Sequence, residues 1–317
     1  LSYSRINGTG ITTNSEYGSP LGCAVGFSPV LGIYEEDENA VFQKYANVTN
    51  FTPIRDRNNG RIYTIAGSDF NEIVNPLALL TLPGAKGNSD KFITNIWGEL
   101  NIWDKLKFKT SLGVDLAFWG TDSWTPVFYL GQSNKSEKSS VWSEMNRGFV
   151  WQLENTLAYD KKINAHSFSV LLGQSAKMNT SRQIGGSNLY LIEEDPDKAN
   201  INFTTGKAAN GDMFVYGGAY SPYTLSSYFG RLSYNFDERY MLQATIRRDG
   251  SSNFGPNNHW ATFPSFSLGW NLTNEKFLAS RPDWLTSTKL RFSWGKNGNE
   301  SIGSFRYVAL TASGNNY

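Results

Sequence analysis

Strict alternation of apolar and polar residues over a dozen positions is the feature that most limits how this chain can fold. In LKFKTSLGVDLAFW, apolar side chains occupy nearly every second position from Leu106 to Phe118, and the positions between them are mostly charged or small. A period of two residues is that of a β-strand with one apolar and one polar face. The preceding FITNIWGELNIW alternates in the same way, and only Asp104 and Lys105 separate the two segments. The pair predicts a β-hairpin with a tight turn.

Three further hairpins follow the same pattern, so that we predict eight strands in four hairpins. The paired segments are 148–159 with 166–177, 228–236 with 239–248, and 265–272 with 289–294. The signal is weaker elsewhere. Residues 1–11 and 304–313 are candidate strands, and 28–60 is expected to be a long folded loop.

The links between these strands are short at one end and long at the other. The short links contain two, about six and two residues, with a longer one at NEKFLASRPDWLTS, whereas residues 119–147, 178–226 and 249–262 form long polar connections. Such loops are improbable in a compact soluble domain, where the median is about 4 to 6 residues. Short turns opposite long loops are typical of outer-membrane β-barrels. Strands of about ten to twelve residues, tilted near 45°, also match the roughly 25 Å apolar band of such barrels.

Composition and charge restrict the classes of partner. Charged residues make up 18% of the chain, below the roughly 25% that is usual for soluble domains, and aromatic residues reach 15%. Lys and Arg total 29 against 28 Asp and Glu, so no net field favours nucleic acid. The single cysteine, Cys23, excludes an internal disulfide and a cysteine-based zinc site. We predict no cofactor.

Nothing in the sequence predicts catalysis or a metal site. His166 and His259 lie far apart, and no serine or cysteine has an identifiable base partner, so we predict that the protein is not an enzyme. The acidic runs Glu35–Asn39 and Glu193–Asp197 lack the EF-hand spacing and are expected to be solvated surface, with calcium binding as the alternative.

A long segment resembles a known family. The stretch YFGRLSYNFDERYMLQATIRRDGSSNFGPNNHWATFPSFSLGWNLTNEKF, the later STKLRFSWGKNGNESIGSF, NPLALL and LKFKTSLGVD resemble the SusC/RagA family of TonB-dependent outer-membrane transporters. The resemblance covers most of residues 75–305 and is most specific at 221–303. It implies an all-β fold, a portion of about 8 to 10 strands of a transmembrane antiparallel β-barrel of about 22 strands, a size whose lumen holds a plug.

The resemblance also implies a function and partners. Members import oligosaccharides or peptides across the outer membrane of Bacteroidetes-type bacteria, with a SusD-like surface lipoprotein as a lid and TonB as the source of energy. We expect residues 1–317 to be part of a single barrel domain in contact with outer-membrane lipid. The plug, the TonB box and the amino-terminal extension are expected to lie outside these residues.

Two sets of functional residues follow from the barrel geometry. Aromatic, arginine and asparagine side chains facing the lumen near the long loops are the candidates for contact with cargo: Trp119, Trp124, Trp142, Arg247, Asn253 and Trp260. Aromatic residues near the short turns suit the headgroup level, and alternation turns Arg248 toward lipid where Arg247 faces the lumen. The predicted membrane-boundary residues are Arg248, Tyr159, Phe236, Tyr240 and Trp270.

Two alternatives remain open on the residues alone. A soluble β-sandwich adhesin or glycan-binding module would use the same alternating strands around a protein core, and a passive porin would use the same barrel. Dependence on detergent separates a barrel from a sandwich, whereas the family resemblance separates an energised transporter from a porin.

Overall fold

The computed structural model describes residues 1–11, 13, 15, 18–70, 73–195, 197–220, 222–302 and 307. Within them, most of the chain is β-strand and three short helices lie near the amino terminus. None of the helices in these residues is long and apolar enough to cross a membrane. The helices are α1 (Pro20–Gly26), α2 (Glu38–Lys44) and α3 (Pro76–Thr81).

Ten of the twelve strands form one antiparallel sheet. The strands are β1 (Ser2–Gly10), β2 (Ala85–Trp103), β3 (Leu106–Thr125), β4 (Phe128–Gly131), β5 (Asn134–Ser136), β6 (Ser140–Ile163), β7 (His166–Leu189), β8 (Met213–Ala219), β9 (Tyr223–Phe236), β10 (Tyr240–Ser251), β11 (Trp260–Asn271) and β12 (Lys289–Gly295). The order is β1-β2-β3-β6-β7-β9-β10-β11-β12. The strand β8 pairs with the carboxy-terminal part of β7, from Arg182 to Asn188, and β4 and β5 form a separate hairpin. The four predicted hairpins are confirmed, and β1 and β12 leave the sheet open at its edges.

Four of the strands, β2, β3, β6 and β7, are much longer than the predicted ten to twelve residues. Both β6 and β7 contain 24 residues, so that much of the predicted loops 119–147 and 178–226 is strand. The antiparallel ladder between β3 and β6 runs without a register shift from Leu106 opposite Tyr159 to Thr125 opposite Ser140. Beyond about residue 118 both faces carry polar side chains, so the alternation that revealed the strands disappears although their hydrogen bonding continues. The predicted six-residue link at 160–165 is likewise a two-residue turn.

The sheet has two chemically different faces. A single line of paired residues crosses seven strands with apolar side chains throughout: Leu106, Tyr159, Val170, Leu232, Ala244, Phe266 and Trp294. A neighbouring line on the other face is polar throughout: Asp160, Ser169, Ser233, Gln243, Ser267 and Ser293. We call these the apolar face and the polar face. Because side chains alternate, a shift of one residue in any pair would exchange the two faces, so the pattern fixes the register.

The apolar face is exposed rather than packed into a core. Leu232 is 42% exposed, Leu268 48% and Phe292 58%. Within the described residues, the other sheet is the two-stranded hairpin of β4 and β5. The polar pair Asn155 and Gln174 in the middle of this face is satisfied internally, because Asn155 Nδ2 donates to Gln174 Oε1 at 3.0 Å. Internal pairing of this kind is required where no water is available.

The short-turn end is closed by specific turns. Asp237 and Glu238 both have left-handed φ, 51° and 55°, and the Arg239 amide donates to the Phe236 carbonyl at 2.9 Å. Two consecutive left-handed residues form a type I′ turn, whose twist matches that of the flanking strands. The prediction of a tight turn at this position is confirmed, with Arg239 as one additional residue before Tyr240.

A buried glutamate ties the next connection to this turn. Glu275, only 9% exposed, accepts a hydrogen bond from Trp270 Nε1 at 2.8 Å and from Arg239 Nη1 at 3.4 Å. Hydrogen bonding from the Tyr240 hydroxyl and from Trp270 lowers the pKa of the Glu275 carboxyl. The segment after β11 is therefore held against the β9-β10 turn by a charged group with several partners.

The buried core of the chain lies outside the sheet, in the connection between β1 and β2. Cys23, Val74 and Ala78 from this connection pack with Phe128 and Leu130 of β4, so that two long connections share one core. The Tyr129 amide donates to the Thr52 carbonyl at 2.7 Å. We call this unit, residues 18–82 with β4 and β5, the cap. The prediction that residues 28–60 form a folded loop is confirmed.

Candidate functional site

The upper part of the polar face, beside the long connections, carries a cluster of aromatic and hydrogen-bonding side chains. We define it as Trp119, Trp142, Glu144, Asn146 and Tyr216. The pairing Trp119 opposite Asn146 and Gly185 opposite both Glu144 and Tyr216 places these residues on one face of the four consecutive strands β3, β6, β7 and β8. The cluster is set by alternation on β3, β6 and β8, since residues two apart project to the same side.

A hydrogen-bond network organises the acidic part of this cluster. Asn146 Nδ2 donates to Glu144 Oε1 at 2.6 Å, and the Tyr216 hydroxyl donates to the other oxygen of the same carboxylate. Gly185 leaves the space for Tyr216, because a Cβ at that glycine would lie 2.5 Å from the tyrosine hydroxyl oxygen. Glu144 is thus a fixed acceptor with donors on two sides.

Trp119 and Trp142 flank this network from two strands. The ring of Trp119 lies over Gly148, where a Cβ would approach to 3.0 Å, and 39% of its surface remains exposed. Trp142 pairs with the small residues Ser123 and Ser187 and is half-buried. Aromatic faces next to a carboxylate and an amide can stack on a sugar or peptide group while the polar groups bond to it.

Arg247 lies on the polar face but is already engaged. Its Nε donates to both oxygens of Asp249, at 2.7 and 2.9 Å, and its Nη2 donates to Ser227 Oγ at 2.9 Å. Its guanidinium carbon also lies 5.4 Å from the centre of the Phe229 ring. A guanidinium fixed in this way is oriented, with part of its surface still exposed beside the upper strands.

The structure separates the other three predicted cargo residues from this cluster. Trp124 pairs with Val141 and Trp260 with Gly250, which places both on the apolar face, opposite to the expected lumen side. The error came from assigning these residues to loops, where alternation carries no facing information. Asn253 is only 8% exposed, and its Nδ2 donates to the Glu300 carbonyl at 3.0 Å. Contact with cargo stays a prediction for Trp119, Trp142 and Arg247 on the polar face, whereas Trp124 and Trp260 lie on the opposite face and Asn253 is buried.

The predicted membrane-boundary residues fall at the two ends of the apolar face. Phe236, Tyr240 and Trp270 form a continuous row of stacked rings, with centroids 6.3 and 6.4 Å apart. Tyr159 stands opposite Leu106 at the start of β3. At the upper end, the Arg248 guanidinium lies 5.4 Å from the Trp260 ring centre. These positions agree with a belt bounded by aromatic and basic side chains.

The histidines and acidic runs have structural partners. His166 Nδ1 lies 2.8 Å from the Tyr234 hydroxyl, and His259 Nδ1 lies 2.9 Å from the Ser251 carbonyl oxygen. Asp37 caps α2 through its own side chain. Arg55 hydrogen bonding lowers the pKa of the Glu38 carboxyl. Among the described residues, no three His, Cys, Asp or Glu side chains come together as a metal site would require.

Sequence reasoning missed Glu144, Asn146 and Tyr216. All three lie in the segments 119–147 and 178–226, which looked like polar loops. In these segments the strands extend beyond the apolar region, and both of their faces carry polar side chains. The alternation of Trp142, Glu144 and Asn146 along one strand was the available signal. It could be recognised only after the strand had been extended to residue 140.

Comparison with known proteins identifies the fold. A family model described as TonB dependent receptor-like, beta-barrel, matches residues 37–316. TonB-dependent receptor SusC of Bacteroides thetaiotaomicron is 29% identical over 320 residues, which cover 96% of this chain and 29% of the relative. TonB-dependent receptor P39 of Formosa agariphila is 32% identical over 206 residues, 65% of this chain and 19% of the relative. The chain thus spans less than a third of the length of these relatives.

Solved structures agree with the sequence relatives. The RagAB peptide importer in the open-open state superposes with a TM-score of 0.66 at 24% identity, over 78% of this chain and 26% of that chain. The structure of the RagAB peptide transporter superposes with a TM-score of 0.63 at 22% identity, over 75% of this chain and 26% of that chain. At this identity the likeness concerns the fold alone.

Proposed function

The chain belongs to the TonB-dependent receptor β-barrel family, and from this premise we propose that the full-length protein imports a nutrient across the bacterial outer membrane. The long connections face the outside of the cell and the short turns face the periplasm. The cargo is an oligosaccharide or a peptide, TonB supplies the energy, and a SusD-like surface lipoprotein covers the outer opening.

The family itself is one of outer-membrane transporters and not of enzymes. This membership separates an energised transporter from the passive porin. The observation that carries the proposal is the division of one continuous sheet into an exposed apolar face and a polar face. An apolar face of this kind is stable against lipid, and the polar face is then turned toward the lumen.

The cluster of aromatic and hydrogen-bonding side chains on the polar face supports an oligosaccharide or a peptide as the cargo. Trp119 and Trp142 offer aromatic surfaces, and the Glu144 carboxylate and Asn146 amide offer hydrogen-bonding groups between them. Aromatic stacking combined with fixed polar groups suits sugar rings, and the same groups bind peptide side chains and carbonyls. The RagAB neighbour is named as a peptide importer, which supports keeping peptides beside oligosaccharides.

The boundary residues support the position in the membrane. An arginine on the lipid face costs about 2 to 4 kcal/mol at the midplane and about 0 to 1 near the interface. Arg248 stands on the apolar face against the Trp260 ring, and it therefore marks the outer boundary, while Tyr159, Phe236, Tyr240 and Trp270 lie toward the periplasmic one.

Alanine substitution in the full-length protein tests the cargo site with a control supplied by the fold. Binding of a pooled oligosaccharide mixture and of a peptide digest is measured by isothermal titration calorimetry. Replacing Trp119 and Trp142 on the polar face is expected to weaken binding by roughly tenfold or more, since each ring contributes about 0.5 to 1.5 kcal/mol beyond its buried area. Replacing Trp124 and Trp260 on the apolar face leaves binding unchanged. Equal affinity in both double variants would remove the cluster from the cargo site.

A further inference from the structure

The apolar face carries two arginines directly opposite each other at its upper end. Arg147 on β6 pairs with Arg182 on β7 in the antiparallel ladder, and both residues are exposed. Directly opposite residues in such a ladder have their Cβ atoms about 4.5 to 5.5 Å apart. Like charges directly opposite each other destabilise a pair of strands, and an anion bound between them removes the repulsion.

The described part of the chain supplies no such anion. Neither Arg147 nor Arg182 forms an ion pair with a carboxylate among the described residues. Asp90 lies in the same row, two strands away across Phe118. It already accepts a hydrogen bond from the Tyr3 hydroxyl at 2.6 Å and lies near an arginine of β1. The contact recorded for Arg147 is with an aromatic ring, its guanidinium carbon lying 5.9 Å from the centre of Phe118.

The height of the pair on the sheet identifies the kind of anion. Between Tyr159 and Phe149 the apolar face of β6 extends over ten residues, and Arg147 is the next residue on that face. At about 3.3 Å per residue this is roughly 33 Å along the strand, or roughly 23 Å along the membrane normal at a tilt of 45°. The apolar band of an outer-membrane barrel is roughly 25 Å tall. The arginine pair therefore lies where the acyl chains end and the headgroups begin.

We propose that Arg147 and Arg182 together bind the phosphate group of a phosphorylated glycolipid in the outer leaflet. The planar fork of each guanidinium donates two hydrogen bonds to phosphate oxygens, and the half-buried apolar residues below the pair, Phe149 and Trp151 among them, contact the acyl chains. The bound lipid neutralises the repulsion between the two arginines and fixes the barrel at this depth. The inference rests on the proposed outer-membrane location, with the long connections outside the cell.

Lipid binding by the full-length protein in a nonionic detergent tests this site. The probes are phosphorylated lipid A, its dephosphorylated form and inorganic phosphate, and bound lipid is counted by native mass spectrometry. The test variant is R147Q/R182Q. The matched control is R231Q/R291Q, which removes two exposed arginines from the polar face. A second variant, R147K/R182K, keeps the charge and removes the bidentate geometry.

The expected result is a dissociation constant for phosphorylated lipid A that rises about tenfold or more in R147Q/R182Q and is unchanged in the control, with R147K/R182K between them. Wild-type protein binds the dephosphorylated form more weakly, and millimolar inorganic phosphate does not displace the lipid. Equal retention by R147Q/R182Q and wild type, equal binding of the dephosphorylated form, or displacement by inorganic phosphate would overturn the proposal. Lipid A is also expected to raise the thermal midpoint of wild type and not that of R147Q/R182Q, and an equal rise would count against the site.

Cargo binding is measured on the same preparations. Since the lipid site and the cargo cluster lie on opposite faces of β6, loss of lipid binding with retained cargo binding confirms the lipid site independently. The reverse pattern, lipid retained and cargo lost, contradicts the lipid site and leaves the transport proposal standing.

Discussion

A lysine placed at the centre of the apolar face should destabilise the protein far more than the same residue placed one position away. Leu112 lies six residues above Leu106 on β3, is 40% exposed and stands between Ile96 and Leu153. Six residues correspond to roughly 20 Å along the strand and roughly 14 Å along the membrane normal, near the middle of the roughly 25 Å band. A lysine there costs about 2 to 4 kcal/mol, which is about 30- to 700-fold in the folding equilibrium.

Ser111→Lys is the matched control for Leu112→Lys. Ser111 points to the polar face, where its paired neighbours are Trp97 and Glu154, so the new ammonium group lies in water near a carboxylate. We expect a change of less than about 1 kcal/mol. The measurement is a guanidinium titration of the full-length protein in lipid vesicles, followed by tryptophan fluorescence. Comparable losses in the two variants, or a larger loss in Ser111→Lys, would refute the assignment of the apolar face to lipid.

Three further outcomes follow from single contacts. Asn155→Leu leaves the Gln174 amide unpaired in hydrocarbon and should cost about 1 to 3 kcal/mol, whereas replacing both residues with leucine should recover most of the loss in a double-mutant cycle; an additive cycle would contradict the pairing. The stability contributed by Glu275, whose pKa is lowered on folding, is present above the unfolded pKa and is lost as the pH falls through the folded one; Glu275→Gln should remove that acid dependence in thermal melts, and an unchanged profile would count against it. Gly173→Ala brings a Cβ within 2.2 Å of the Phe229 ring and should cost about 1 to 3 kcal/mol in the same titration, with no loss expected only if the ring can move freely.

The part of the fold that touches lipid could be predicted from the sequence, because there the two faces differ in polarity. The four hairpins follow from alternation alone, and the observed pairing of Leu232 with Ala244 keeps the apolar residues of both strands on one face. The same reasoning ended near Phe118 and Gly148, where β3 and β6 continue with polar residues on both faces. Backbone hydrogen bonds hold these extensions in the sheet. Because backbone hydrogen bonding does not depend on side-chain polarity, the sequence shows no alternation there.

The candidate site was predicted only in part for the same reason. Trp119 and Trp142 were recognised as aromatic residues near the long connections, but their acidic partner Glu144 belonged to a segment that looked like a loop. The face on which a residue lies can be assigned only when the strand boundaries are known. Trp124 and Trp260 were therefore assigned to the lumen side, although both lie on the apolar face. The cap also escaped detailed prediction, since its core joins residues from two connections that are far apart in sequence.

Alternating exposure to lipid along one strand is the most direct test of the central claim, that one face of the sheet contacts lipid and the other faces the lumen. Spin labels are introduced singly at residues 241–246 of β10 in a cysteine-free full-length protein in bilayers, and collision with dissolved oxygen is measured by electron paramagnetic resonance. The account predicts maxima of oxygen accessibility at Leu242, Ala244 and Ile246, with minima at Met241, Gln243 and Thr245. Maxima at the odd positions, or no two-residue period, would contradict it.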